Sequence, residues 1–498
     1  MSAVKDVYAF FAGEDRYPDL DASAAVEHLR EAVRCRTVND ADHSKTDFRE
    51  FDRLQALMRS AYPAVMRAGS FELIGHCVLI TVPGSEPSLR PALYMSHQDV
   101  VPVVRGTEAD WTHGPFSGDL AEGCIWGRGT LDIKQMVFGI LEAAEYLLGH
   151  GRRFRRTAFL AFGDDEETLN LGALSIAETL KARGVQLEYV LDEGFGSVED
   201  GAVFGAPGIP VTKIELMEKG YADLELSVES AGGHSSRPWG GSSLEHLARA
   251  VTAIADRPFA PHCPEPLLRT FETLAPCITE EPLRSLVQDV RGNADALAAF
   301  CMTRPELFPF VCTTVAPTVI EGGSDACNVL PQNMRAVINF RLNAGDSAEM
   351  LLRRCREAVL AADPKSPVRL RFLQANDPSG IARTDGFGYR TLQAALKEFY
   401  PAVLAMPSLT SGATDARRYE PVCDTCLRCS PFVVDRELAR QGVHGTNERI
   451  PVRSYLQGIR VLIRLMELGN IAEADRPKCL CYMQSGAEPK PDTRLWMT

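Results

Sequence analysis

Seven side chains spread along this chain have the types and spacing for metal chemistry: His97, Asp99, Asp132, Glu166, Glu167, Asp192 and His444. The apolar run Leu93-Tyr-Met-Ser stops at His97-Gln-Asp99. The glycine-rich turn Trp126-Gly-Arg-Gly-Thr-Leu stops at Asp132. Residues 157–162 read as a strand that opens into Gly-Asp-Asp-Glu166-Glu167, and Tyr189-Val-Leu reads as another that stops at Asp192. His444 lies in Val-His-Gly-Thr-Asn-Glu. Singly, each is ordinary: an Asp closing a strand is usually a cap or turn residue. Their order is not ordinary, because functional groups of an α/β sheet gather at the carboxyl ends of its strands. Two imidazoles and three carboxylates, one of them bridging, would supply the ligands of a paired zinc site. Glu166 is left over as a base.

The elements that must position these groups alternate. Helical spacing covers 22–34, with Ala25, Leu29 and Val33 on one face and Asp21 as the cap, and a second amphipathic helix is expected over 46–68. Strand-like runs at 71–82 and 91–96 precede a helix at 133–149, a strand at 157–162, a helix at 170–183 and a strand at 187–192. This alternation predicts a mostly parallel sheet covered on both faces. The pattern changes near Glu218-Lys219-Gly220. A half-exposed strand begins at Ala222, and a helix follows at 243–256. Strands at 311–320 and 333–342, a helix at 347–362 and a strand at 367–373 complete a β-α-β-β-α-β unit of the ferredoxin-like kind. Residues 261–310, rich in Pro and helix formers, read as an insertion within it. The first domain resumes after 378, with a helix at 387–399, a strand region from Val422 to Val434 and a last helix at 452–468. The expected organisation is a catalytic domain of 1–218 and 378–498 with an inserted α+β lid of 219–377. The tail after Gly469 is expected to be loosely held.

The full motif set resembles the zinc-dependent family of carboxypeptidases, dipeptidases and aminoacylases with a co-catalytic metal pair. The forms His-Gln-Asp-Val-Val-Pro and Gly-Arg-Gly-Thr-Leu-Asp-Ile-Lys look most like its carboxypeptidase S branch, and the likeness runs from about residue 20 to about residue 470. It implies Asp132 as the bridge, His97 and Asp192 on one metal, and Glu167 and His444 on the other. Either Asp or Glu would serve at 192, since both offer hard oxygen. Cobalt or manganese would suit the same ligands. Asp99 would accept the second ring N–H of His97 and fix its tautomer. A cis peptide is expected just after Asp132. Glu166 would take a proton from the attacking water and pass it to the leaving amine. By the same resemblance His234, in Gly-Gly-His-Ser-Ser, would hydrogen-bond the developing oxyanion, Asn328 would help hold substrate, and Arg417 would grip a substrate carboxylate with two N–H donors. Arg341 competes with Arg417 for that grip.

The implied reaction is hydrolysis of an amide beside a free carboxylate, in a short peptide or, alternatively, an N-acyl amino acid. The chain would act as a monomer or as a homodimer through the lid. Bulk properties agree. A chain of 498 residues is too long for one ordinary core. A net charge of −13 argues against nucleic-acid binding, and no run of about 18 apolar residues marks a membrane span. Fourteen cysteines without a secretion signal fit a reducing cytoplasm. Cys423, Cys426 and Cys429, with Cys479 and Cys481 as possible partners, raise a remote alternative, an iron–sulfur or other cysteine-bound cluster. Structural thiols are the favoured reading.

Overall fold

The computed structural model describes residues 7–470, apart from Phe195, Trp239, Arg257 and Pro258. The expectations for the tail and for Cys479 and Cys481 therefore lie outside the described residues. In chain order the longer strands begin with β1 (Ser70–Ile74), β2 (Cys77–Val82), β3 (Ala92–His97), β4 (Ala158–Gly163), β5 (Tyr189–Asp192), β6 (Ser197–Asp200) and β7 (Pro210–Glu218). They continue with β8 (Gly220–Glu229), β9 (Thr314–Gly322), β10 (Asn333–Leu342), β11 (Arg369–Asn376), β12 (Leu404–Thr410), β13 (Cys426–Arg428) and β14 (Val434–Asp435).

A ten-stranded sheet runs β1-β2-β4-β3-β5-β13-β7-β6-β14, with β12 on β7. Its centre is parallel, from β4 through β3 and β5 to β13. β2 and β7 join antiparallel on either side, so the sheet is mixed but mostly parallel. Side chains alternate across it. Ala92 and Tyr94 of β3 face the core shared with helices Lys134–Gly149 and Val452–Gly469, while Leu93 and Met95 face the core shared with helix Leu171–Ala182. A sheet buried on both faces needs apolar residues at every position, and β3 and β4 are buried throughout.

Two local expectations change. The 46–68 helix is two, Phe48–Ala61 and Pro63–Ala68. Pro63 has no N–H to continue the ladder and restricts Tyr62 before it. The 71–82 strand is a hairpin, β1 with β2, turned at Gly75 with φ +63°.

The second sheet has the order β9-β10-β8-β11, all antiparallel. Helices Ser243–Ala255 and Ala348–Ala362 cover one face, giving the expected ferredoxin-like unit. The inserted helices behave differently. Leu267, Phe271 and Leu274 of helix Glu265–Leu274 share a core with Val211 and Met217 of β7 and Met406 and Leu409 of β12. The Thr270 hydroxyl donates to the Pro407 carbonyl at 2.6 Å. The insertion interrupts the lid in sequence but packs on the large sheet in space. Its apolar stripe at i, i+4, i+7 needs a partner, and β7 and β12 supply one.

Candidate metal centre

The parallel strands β4, β3 and β5 are neighbours, so their carboxyl ends deliver three groups side by side. His97 ends β3 opposite Gly163, which ends β4. Beyond β4 the chain turns through Asp164 and Asp165 to Glu166 and Glu167. The Asp165 carboxylate accepts from Leu171 N and Gly172 N, tying this turn to the next helix. Asp132 stands just before helix Lys134–Gly149, and the Asp132–Ile133 peptide is cis.

The side chains converge in two groups that share Asp132: His97, Asp132 and Glu193, and Asp132, Glu167 and His444. His97 Nε2 lies 3.5 Å from Asp132 Oδ1, 3.5 Å from Glu193 Oε1 and 4.0 Å from Glu166 Oε2. His444 Nε2 lies 2.9 Å from Asp132 Oδ2 and 3.2 Å from Glu167 Oε2. The two imidazoles differ in access: the His97 side chain is 1% exposed and that of His444 is 53% exposed.

One expected ligand, Asp192, has its carboxylate engaged by backbone N–H groups. Asp192 closes β5, but its carboxylate turns into the protein and accepts from Glu193 N at 2.8 Å and Ala416 N at 2.7 Å. The carboxylate beside His97 belongs to Glu193. Successive side chains at a strand end point to opposite sides, and here Glu193 is the one that faces His97. Asp99 does more than hold a ring. His97 Nδ1 lies 3.0 Å from the Asp99 carbonyl and 3.3 Å from its carboxylate. That carboxylate also accepts from Glu166 N and Glu167 N, at 3.2 and 3.0 Å. It thus fixes the two consecutive glutamates, Glu167 toward His444 and Glu166 toward His97.

The electrostatics show a site short of positive charge. Burial, with Glu193 close by, holds the Glu166 carboxyl well above the usual range. Burial pushes Glu193 up to about 8 and Asp192 up to about 6. Burial opposes charge on His97, yet Glu193, Asp132 and Asp99 outweigh it and raise the imidazole well above its ordinary value. Asp132 and Glu167 raise His444 to about 10. Burial works against charge on Asp132 too, but the two imidazoles hold its carboxyl low. His97 Nε2 is nevertheless buried without a hydrogen-bond partner, aimed among carboxylate oxygens. An orphaned imidazole nitrogen beside hard oxygens is the donor set of a divalent ion, and the residues fit a pair of such ions with Asp132 between them.

The remaining expected residues lie elsewhere. His234 is exposed in the lid. Its Nδ1 accepts from Ser236 N and sits 2.8 Å from the Ser236 hydroxyl. Asn328 is exposed beside it, where its carbonyl accepts from Ser235 N. Arg417 is committed at the junction of the sheets. It pairs with the buried Glu218 carboxylate at 3.1 Å and donates to the Asp377 carbonyl. Arg341 lies on the lid sheet with its guanidinium 4.7 Å from the Tyr221 ring centre and makes no ion pair among the described residues. The cysteine run does not converge: Cys423 and Cys426 lie in the core on one face of the large sheet, and Cys429 in the core on the other. Among the described residues no metal-ligand group contains a cysteine.

Comparison with known proteins fits this site. The family model described as peptidase family M20/M25/M40 matches residues 93–468. A Danio rerio N-fatty-acyl-amino acid synthase/hydrolase is 33% identical over 93% of this chain and 88% of its own length. Carboxypeptidase S of Saccharomyces cerevisiae is 30% identical over 88% of this chain and 82% of its own. In structure the chain resembles an M20 family metallo-carboxypeptidase from Sulfolobus solfataricus, with a TM-score of 0.64 and 16% identity over 90% of this chain and 99% of that one. It also resembles human carnosine dipeptidase 1, with a TM-score of 0.57 and 17% identity over 91% and 97%. At such identities the structural likeness speaks for the fold, and the match across most of the chain speaks for descent: this protein is an enzyme of peptidase family M20/M25/M40.

Proposed function

We propose that this enzyme hydrolyses an amide bond beside a free carboxylate, as a carboxypeptidase or dipeptidase of short peptides. The observation that carries this is the pair of ligand groups joined at Asp132, with His97 Nε2 left unpartnered among carboxylates. His97, Asp132 and Glu193 would hold one divalent ion, and Asp132, Glu167 and His444 the other. Zinc is the assignment, with cobalt or manganese as substitutes. When bound, the ions supply Lewis acidity toward the scissile carbonyl and toward water.

The chain's own groups account for the rest. Glu166, fixed through its N–H by Asp99 and turned toward His97, takes the proton of the attacking water and delivers it to the leaving amine. The His234 imidazole donates to the oxyanion once the lid approaches, and Asn328 helps hold substrate from the same loop. Because Arg417 is held by Glu218 and by the Asp377 carbonyl, while Arg341 makes no ion pair among the described residues, the grip on the substrate carboxylate passes to Arg341.

A second substrate class has its own support. The relatives named N-fatty-acyl-amino acid synthase/hydrolase are 31–33% identical to this chain. Exposed Leu169, Leu171 and Val443 also flank the Glu167 and His444 segments, where an apolar acyl chain would find cover. Hydrolysis rates on a panel of dipeptides, longer peptides and N-acyl amino acids, each with a free and an amidated carboxyl, decide between the classes. No turnover on any free-carboxylate amide would defeat both.

The described cysteines form no disulfide, which supports a reducing, cytoplasmic setting. No described helix is long and apolar enough to cross a membrane. The exposed outer strand β9 of the lid supports pairing of two chains there, against a monomer.

A further inference from the structure

Two side chains inside the ligand-bearing motifs have no part in the chemistry above, yet they join the loops that carry it. Glu448 closes the segment that begins at His444, and Arg128 opens the turn that ends at Asp132. Both are buried. Glu448 Oε1 accepts three backbone N–H groups, from Gly129 at 3.0 Å, Leu131 at 2.7 Å and Asp132 at 3.1 Å. Its Oε2 accepts from Arg128 Nη1. With both oxygens engaged in this way, Glu448 serves as neither ligand nor base. Arg128 Nη2 reaches on to the His444 carbonyl at 3.2 Å. Gly127 N donates to the Glu448 carbonyl at 2.9 Å, continuing the short ladder between Cys124–Trp126 and Arg449–Pro451.

The contacts fall on the backbones of two ligand candidates: the N–H of Asp132 and the carbonyl of His444. The turn is shaped for this. Gly127 and Gly129 have φ of +140° and +90°, and a Cβ on Gly129 would come within 2.9 Å of Val100 Cγ1. The positive φ at Gly127 and Gly129 curls the turn so that the N–H groups of Gly129, Leu131 and Asp132 converge on one oxygen. His444 has a left-handed backbone at φ +59° and a side chain half open to solvent, so packing does little to hold it. His97 and Glu193, by contrast, stand at the ends of buried central strands.

We propose that Glu448 and Arg128 are a positioning pair: they register the Asp132 loop against the His444 loop and so set the affinity of the metal position formed by Asp132, Glu167 and His444, more than that of the position at His97 and Glu193. This rests on the two-position reading of the site. Outer partners of metal ligands commonly change affinity by roughly 10–100-fold, and this pair acts on two ligands at once.

The test is a zinc titration of metal-free protein against a chromophoric chelator, for wild type, Glu448→Gln and Arg128→Lys, with thermal melting of each metal-free protein. Glu448→Gln turns an amide N–H₂ toward either Arg128 or the converging N–H groups. Arg128→Lys keeps the charge but not the fork that reaches both Glu448 and His444, and stays informative if the first variant does not fold. The expected result is one ion held at wild-type affinity and a second weakened roughly 10–100-fold, over and above the lowered metal-free melt that a broken buried pair brings. Two ions at wild-type affinity in the variants would overturn the proposal. So would equal weakening of both ions, which marks a merely structural pair. Wild type that takes up fewer than two ions would instead overturn the two-position reading, and this inference with it.

Discussion

Asp192 and Glu193 are adjacent acids, the first buried and the second partly so, and exchanging each for its amide separates a structural carboxylate from a proposed ligand. In Asp192→Asn one side-chain oxygen still accepts, but the N–H₂ meets either Glu193 N or Ala416 N, now held at 2.8 and 2.7 Å by carboxylate oxygens. A buried hydrogen bond to a charged acceptor is replaced by two opposed donors, which costs about 1–3 kcal/mol. Burial already disfavours the Asp192 charge, raising its pKa to about 6, and losing the charge offsets part of that cost. The metal-free melt should fall while both ions still bind. In Glu193→Gln the opposite holds. An acid whose charge its surroundings already disfavour, with a pKa pushed up to about 8, is replaced by a neutral amide, so the metal-free protein should be as stable as wild type or more so. The position at His97, however, loses a charged ligand, and zinc affinity there should fall by at least the roughly 10–100-fold that losing an outer partner costs. Chelator-competition titration and thermal unfolding on the two variants read both quantities. A metal-free melt unchanged in Asp192→Asn with one ion lost, together with two tightly held ions in Glu193→Gln, would refute this assignment and restore Asp192 as the ligand.

Glu166→Gln should lower turnover by about 10²–10⁴-fold while both ions remain bound; loss of an ion instead would make Glu166 a ligand. His234→Ala should cost roughly 10²–10³-fold in turnover with metal content unchanged, and a variant with wild-type kcat would remove it from the oxyanion. Arg341→Ala should raise KM for free-carboxylate substrates and erase discrimination against their amides. If Arg417→Ala does this instead, the Glu218 pair must open to release Arg417, and the grip returns to it.

The parallel core was legible because each strand there is a short, wholly apolar run ending in a polar group. β3, β4 and β5 lie within one or two residues of their expected bounds. Strands β7 and β12 escaped notice. β7 is interrupted by Lys213, Glu215 and Glu218; Lys213 pairs with Glu199, and Glu218 with Arg428 and Arg417 far along the chain. β12 carries Pro407 and Ser408, which break its apolar pattern. The placement of the insertion could not follow from its own stripe, because any apolar surface would satisfy it, and the surface it uses is made by those two unread strands. At the site, types and order pointed to the segments that converge, but register was not legible. Asp192-Glu193 offers two acids to one position, and only the backbone N–H groups of Glu193 and Ala416 decide which acid turns inward. Glu448 and Arg128 were in view within the motifs, yet nothing in a linear reading joins residues so far apart in the chain.

The central claim is a pair of divalent ions bridged by Asp132, and metal content measured together with turnover tests it most directly. Gently purified wild type should carry two ions per chain, and Asp132→Ala should lose both its metal and its amidase activity, because the one residue common to both ligand groups is gone. An Asp132→Ala protein that keeps full metal content and full activity would contradict the account.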